Sequence, residues 1–213
     1  MGERGFFISL EGVEGTGKST QAVMLSEALM ASGMKTILTA EPGGTVLGDK
    51  IRGLLLDVSH NGMDHITELL LYSAARKQHL SELIIPSLES GATVITDRFS
   101  DSTMAYQGYG RGIDRDLIER LDSMVTGTLR PDLTLLLDLD VRDGLSRNRE
   151  VGKVDRLELE DVEFHERVRN GFLEIARMEP RRVAVIDAQE GVDKVHRAVM
   201  EAVRSRLELP RKH

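Results

Sequence analysis

Short apolar runs alternate with stretches of helical periodicity along the chain. FFISL (6–10), KTILTA (35–40), ATVITD (92–97), LTLLLDL (133–139) and RVAVID (182–187) are β-branched or leucine-rich and continuously apolar. That pattern predicts strands buried on both faces. Helical spacing covers 18–32, 64–90, 114–126, 161–178 and 192–207. Strand–helix alternation of this kind predicts an α/β fold, with a parallel sheet, right-handed crossovers and helices on both faces. One stretch breaks the rhythm. Residues 146–161 are polar and carry Arg147, Arg149, Lys153 and Arg156 among several acids. They read as a mobile loop or lid, about 146–160, inside a single domain spanning 1–213.

Composition narrows the class without fixing it. A length of 213 residues, 40% hydrophobic and 30% charged, suits one soluble domain with a full core. The net charge of −7 argues against a duplex-binding surface, which needs clustered Lys and Arg. There is no cysteine, so no disulfide, thiolate nucleophile or thiolate metal site is expected. The start MGERGFF has no apolar signal region, and no apolar run is long enough to span a bilayer. A cytoplasmic protein, partnered with neither nucleic acid nor membrane, is the expectation.

The most specific local pattern is GVEGTGKST: Gly12, Val13, Glu14, Gly15, Thr16, Gly17, Lys18, Ser19 and Thr20. It follows a predicted strand and opens a predicted helix, as a phosphate-cradling P-loop requires. Its glycines let successive backbone N–H groups face phosphate oxygens, and the helix N-terminus adds partial positive charge. Lys18 reaches the β/γ-phosphates and Ser19 can ligate Mg²⁺. Yet Glu14 puts a carboxylate inside an anion site, and no Arg or Lys occupies the variable positions.

Nucleoside triphosphate binding does not by itself choose a reaction. The Asn-Lys-x-Asp guanine reader of switch GTPases and the Leu-Ser-Gly-Gly-Gln signature of ABC ATPases are both missing, which favours a small-molecule kinase. Its acceptor pocket belongs at the C-terminal strand ends. There the chain supplies EPGGT (41–45), Arg52, and DRFSDSTMAYQGYGRG (97–112). Tyr72 and Arg76, four apart, share one helix face. Arg52, Arg76 and Arg98 with Tyr72 and Tyr106 fit a nucleotide pocket, in which guanidinium forks clamp phosphate or carbonyl and rings stack on a base.

Together, EGVEGTGKST, EPGGT, IRGLLLD, YSAARKQH, DRFSDSTMAYQG, RPDLTLLLDLD and DRLE resemble the bacterial and archaeal thymidylate kinases in order and spacing, over essentially the whole chain. The resemblance implies a P-loop NTPase three-layer sandwich around a five-stranded parallel sheet. It also implies ATP as phosphoryl donor, dTMP as acceptor, Mg²⁺, and a homodimer. For dimerisation the apolar 66–88 helix is available, although a core role suits it equally. Carried over residue by residue, Arg98 holds the dTMP phosphate and Asp97 sits near the metal with Ser19. On residue type alone, Asp138 and Asp140 compete for that metal role. Tyr72 stacks where relatives usually place a Phe on thymine, and Arg76 bonds the base carbonyl. Ser102, Thr103 and Gln107 lie near the base edge, Tyr106 packs against the sugar 2′ position, and Arg52, Glu41 and Pro42 line the acceptor pocket. Glu14 turns to the acceptor's 3′-hydroxyl.

A phosphomonoester acceptor is already an anion, so no general base is needed and the barrier is charge repulsion. Two unit charges about 4 Å apart cost about 4 kcal/mol at an effective dielectric of 20. Some relatives supply a P-loop arginine. Here Arg147 and Arg149 of the lid are the candidate cations, with Val151 standing where some relatives have another arginine. Arg142 or Arg147 is placed to stack on adenine near DAQEG (187–191). A kinase with a different acceptor, or a nucleotide-driven switch, remains an alternative at this stage.

Overall fold

In the computed structural model, which describes residues 4–150 and 155–207, the first apolar run forms β1 (Phe7–Glu11). Its side chains alternate between faces. Ile8 and Leu10 join one apolar cluster and Phe7 another. The chain continues through α1 (Lys18–Ala31), β2 (Thr36–Ala40), α2 (Val46–Leu56), α3 (His65–His79), α4 (Ile85–Glu89) and β3 (Thr93–Asp97). It then runs through α5 (Ser100–Thr103), α6 (Arg115–Thr126), β4 (Leu133–Asp138), α7 (Val141–Glu150), α8 (Val162–Met178), β5 (Val183–Asp187) and α9 (Val192–Leu207).

All five strands are parallel, in the order β2-β3-β1-β4-β5. On one face α1 and α9 bury Leu25, Leu29, Val195 and Val199 against Ile8, Leu10, Leu135 and Leu137. On the other, α8 packs Phe164, Val168 and Phe172 against Leu136, Ala105 and Tyr106. Each fully buried aliphatic or aromatic side chain of this kind contributes about 1.5–3 kcal/mol relative to exposure. Register aligns Leu10 with Asp97 and Asp138 with Asp187, so the strands' carboxyl ends deliver their polar residues to one edge. That edge is where open α/β sheets bind ligands.

The five strands fall where the apolar runs predict them, within a residue or two at each end. The helix read over 64–90 is interrupted: α3 passes through a π-helical turn, Leu80–Ile84, before α4. Pro86 has no N–H to give the carbonyl of residue 82, and the wider turn absorbs the break. Residues 100–110, which carry no clear apolar period, are nevertheless helical, as α5 followed by a π-helical segment Met104–Gly110. The polar 146–161 stretch is partly helix, since α7 runs to Glu150. Val151 and Lys153 lie outside the described residues. No described helix is long and apolar enough to cross a membrane.

Candidate active site

The loop between β1 and α1 has the backbone of an anion cradle. At Gly12, φ is +141°, and a Cβ there would meet the Leu137 carbonyl oxygen at 2.4 Å. Gly17, left-handed at φ 85°, caps α1, and no side chain bonds the first N–H groups of that helix. Elsewhere Thr45, Asp64, Asp114 and Asp161 cap their helices with side-chain oxygens. The open N-terminus of α1 thus keeps its donors and its partial positive charge for a phosphate. Lys18 folds back, donating to the Val13 carbonyl at 2.8 Å and to Thr16 Oγ1 at 3.4 Å. Burial, with Arg98 adding repulsion, pulls its ammonium down to about 8.

Ser19 Oγ donates to Asp97 Oδ2 at 2.5 Å, so the two expected metal-site residues are neighbours at the end of β3. The competing carboxylates are otherwise engaged. Asp138 is doubly bonded by Arg169 at 2.7 and 2.9 Å, and Asp140 accepts from the Arg142 amide at the start of α7. Among the described residues no group of three or more His, Cys, Asp or Glu could hold a metal ion by itself. One hydroxyl and one carboxylate are the hard oxygen set that suits Mg²⁺ held jointly with substrate phosphates.

Arg98 follows β3 in a left-handed conformation, φ 74°, which costs a non-glycine residue about 1–3 kcal/mol. The strain is held by its amide bond to the Leu10 carbonyl and by Thr96 Oγ1 donating to its carbonyl. Its guanidinium donates to the Gly12 carbonyl, Ser102 Oγ, Tyr106 Oη and Glu14 Oε1, and lies 4.9 Å from the Tyr106 ring centroid. Glu14 is therefore a charge partner for Arg98 within the protein. Its Oε1 also accepts from Tyr106 Oη at 2.5 Å. Oε2 lies 3.2 Å from Nδ1 of the buried His165, without hydrogen-bond alignment. Burial pushes the Glu14 carboxyl up, but His165, Arg98 and Lys18 outweigh it and hold the carboxyl at about 2. Glu11, behind Arg98, accepts from the Phe99 amide and from Ser102 Oγ. Burial, reinforced by Asp101, raises it to about 8.

Beside this network lies a half-open pocket lined by Glu41, Pro42, Tyr72, Arg76, Arg98, Ser102, Thr103, Tyr106, Gln107 and Leu157. Nine of these are acceptor residues expected from the sequence. Arg76 is buried, with Nε on Glu41 at 2.7 Å and Nη1 on Asp122 at 3.4 Å. His79 braces the other Glu41 oxygen at 3.1 Å. The peptide between Glu41 and Pro42 is cis. Glu14 and Arg52 do not line the cavity. Arg52 is exposed at its rim, bonding the Pro42 carbonyl at 2.8 Å.

The lid cations divide. Arg147 donates to the carbonyls of Ala188 and Gln189, which brings it to the 187–191 loop. Arg149 is exposed and makes no hydrogen bond or ion pair among the described residues. Arg156 is no lid cation: it is 3% exposed, donates to the Leu55 carbonyl and lies 2.5 Å from Glu68. Where α7 starts, Gly15 and Gly144 press together, and a Cβ on Gly15 would lie 2.0 Å from the Gly144 carbonyl oxygen. The lid helix is thereby seated directly on the cradle.

Glu11, Glu68, Arg111, Leu157 and His165 were not anticipated. Glu68 had a usable signal, since it lies one turn before Tyr72 and two before Arg76 on the same face of α3. His165 sits inside the buried stripe of α8 and reads as core from spacing alone.

A phosphate cradle, a half-buried arginine at the neighbouring strand end and a pocket beside both define a P-loop nucleoside monophosphate kinase. The family model described as Thymidylate kinase matches residues 10–199. The chain is 48% identical over 209 residues to a thymidylate kinase of Geobacter sulfurreducens, covering 95% of this chain and 98% of that one. It is 50% identical over 207 residues to one of Pseudomonas fluorescens, covering 97% and 99%. The crystal structure of thymidylate kinase from Ehrlichia chaffeensis superposes with a TM-score of 0.76 at 37% identity, over 94% of this chain and 99% of that one. The chain belongs to the thymidylate kinase family.

Proposed function

We propose that this chain transfers the γ-phosphoryl group of ATP to dTMP, giving ADP and dTDP. The observation that carries the reading is the pocket beside the cradle, whose lining brings Arg98 and Arg76 together with Tyr72, Tyr106 and Gln107. The acceptor phosphate lies on Arg98, and the base lies between Tyr72 and the Arg76–Gln107 side. Tyr106 is against the sugar. Arg52 at the rim adds positive charge for the incoming monophosphate. Glu14 pulls Arg98 into place from the donor side and takes the 3′-hydroxyl.

Catalysis on this reading is positioning plus cation supply. The acceptor's oxyanion attacks the γ-phosphorus, the bond to the β–γ bridging oxygen breaks, and ADP leaves with that electron pair. Lys18 and the α1 N–H groups hold the β- and γ-phosphates. Ser19 and Asp97 would hold Mg²⁺, which would supply charge neutralisation to the donor phosphates. Arg149, unpaired among the described residues, approaches the transferring group on closure, whereas Arg147 is placed for the adenine side. The exposed apolar residues Leu54, Val58, Ile66 and Leu70, on and around the packed pair α2 and α3, support self-association as a homodimer.

The test is ADP release with ATP, Mg²⁺ and each of dTMP, dUMP, dCMP, AMP, GMP and thymidine. A dTMP-dependent burst is expected. Slow hydrolysis indifferent to the acceptor would indicate a switch, and preference for another acceptor would replace the substrate.

A further inference from the structure

The most heavily satisfied buried carboxylate outside the reacting centre is Glu68 on α3, which is fully buried. Its Oε1 accepts from Gln107 Nε2 at 2.8 Å and from Arg111 Nε at 3.2 Å. Its Oε2 faces Arg111 Nη2 at 3.2 Å and Arg156 Nη2 at 2.5 Å. Arg111 in turn bonds Glu160 at 2.6 Å. Two guanidinium groups thus face two carboxylates, and Glu68 stays ionised although buried, its carboxyl held below the usual range. Arg111, Gln107 and Arg156 outweigh the burial that would raise it.

An ionised carboxylate only accepts hydrogen bonds. Gln107 must therefore turn its NH₂ towards Glu68, and its carbonyl oxygen is left for the cavity that Gln107 lines. Across the pocket, Arg76 has committed Nε and one N–H of Nη1 to Glu41 and Asp122, which leaves both N–H groups of Nη2 as donors. We propose that Glu68 is a positioning residue for base choice. By fixing the amide of Gln107 it sets one acceptor beside one donor along the base edge. A thymine or uracil ring offers the complement, a carbonyl oxygen beside an N–H. A cytosine ring offers the reverse at both places, an amino group beside an unprotonated nitrogen. Two inverted contacts in a buried site leave four groups unpaired, which is how hydrogen-bonding pockets reject close analogues. The inference rests on the reading of the cavity as the base pocket.

The test compares kcat/KM for dTMP and dCMP in the wild type, Glu68→Gln, Gln107→Leu and the double variant. In Glu68→Gln the neighbour can donate or accept, so Gln107 is free to rotate. The dTMP preference is expected to fall by about tenfold or more, with the ATP KM unchanged. In the Gln107→Leu background the same change should leave the preference where it is. A purely structural role would lower both substrates by one factor in either background, and that result overturns the proposal. Should Glu68→Gln not fold, amide exchange in the wild type decides. The Gln107 side-chain protons, assigned by their loss in Gln107→Leu, should exchange far more slowly than a solvated amide. Exchange at the solvated rate also overturns it. A wild type inert on dTMP would instead remove the substrate reading while leaving the exchange measurement interpretable.

Discussion

The acceptor side and the lid side of this site use the same residue type in opposite ways. Arg76 is buried and Arg98 half-buried, each bonded to a carboxylate and held in place before any ligand arrives. Arg147 and Arg149 stand exposed on α7, one on two backbone carbonyls and the other without a partner among the described residues. The physical difference is the timing of charge. A cation that grips a phosphate throughout the cycle can be desolvated once, during folding, if acids accompany it. One that stabilises charge only as the phosphoryl group moves must stay hydrated until the lid closes. Glu14 belongs to the first set. An acid in the cradle keeps Arg98 paired within a loop otherwise built for anions.

The largest expected break in that comparison is at Arg149. Alanine there should lower kcat by about 10³, at the low end for a transition-state arginine, while changing the ATP KM little. Arg147→Ala should do the reverse, raising the ATP KM more than it lowers kcat. Steady-state kinetics with ATP varied at saturating dTMP separates them. Equal losses in both parameters for both variants would erase the division of the lid.

The second effect is on the acceptor side. Glu14→Gln removes the carboxylate facing Arg98 and the 3′-hydroxyl. It should raise the dTMP KM by about tenfold to a hundredfold, the size of a lost hydrogen bond to a charged group. The wild type should prefer dTMP over its 3′-deoxy analogue, and the variant should lose most of that preference. If Glu14→Gln weakens both acceptors alike, the acid serves Arg98 alone.

The same contrast explains what was legible in the sequence. Strands buried on both faces announce themselves, because β1, β3 and β4 are apolar or small up to the carboxylate that ends each of them. The cradle is equally visible, since its chemistry is backbone chemistry and its glycines have fixed spacing. Arg52, Tyr72, Arg76, Arg98 and Tyr106 follow from residue type at the strand ends and the other pocket residues from the resemblance; of them all, Arg52 and Glu14 stay off the cavity lining. The residues that brace them were harder to find. Glu68 meets Gln107, Arg111 and Arg156 across 39, 43 and 88 positions of sequence, and nothing local to any of them encodes the meeting. Arg156 misled for a related reason: its polar neighbours predicted exposure, while a carboxylate from a distant helix makes its burial possible. The π-helical segment Met104–Gly110 falls outside the helical stretches legible in the sequence, because its glycines hide the period that Ala105 and Tyr106 carry into the core.

The smallest effect concerns pH and tests the donor side of the comparison. Lys18 releases its proton at about 8, well below an ordinary lysine, because it is buried and faces Arg98. Above that pH the free enzyme loses the positive charge that meets the incoming phosphates. The kcat/KM for ATP should therefore fall as pH rises through about 8, approaching tenfold per unit beyond it. Once ATP is bound, its phosphates favour the protonated ammonium, so kcat at saturating ATP should hold level over the same range. A second group shares the window, since Glu11 is raised to about 8 and gains negative charge there. Both titrations oppose an anion, so the profile alone does not separate them. Glu11→Gln does. Its amide can accept from the Phe99 amide and keep a hydrogen bond with Ser102 Oγ, but it cannot ionise. If Lys18 governs, the fall persists in Glu11→Gln with little change in midpoint. If the fall disappears, the carboxyl behind Arg98 is the titrating group, and the pH sensitivity belongs to the acceptor side.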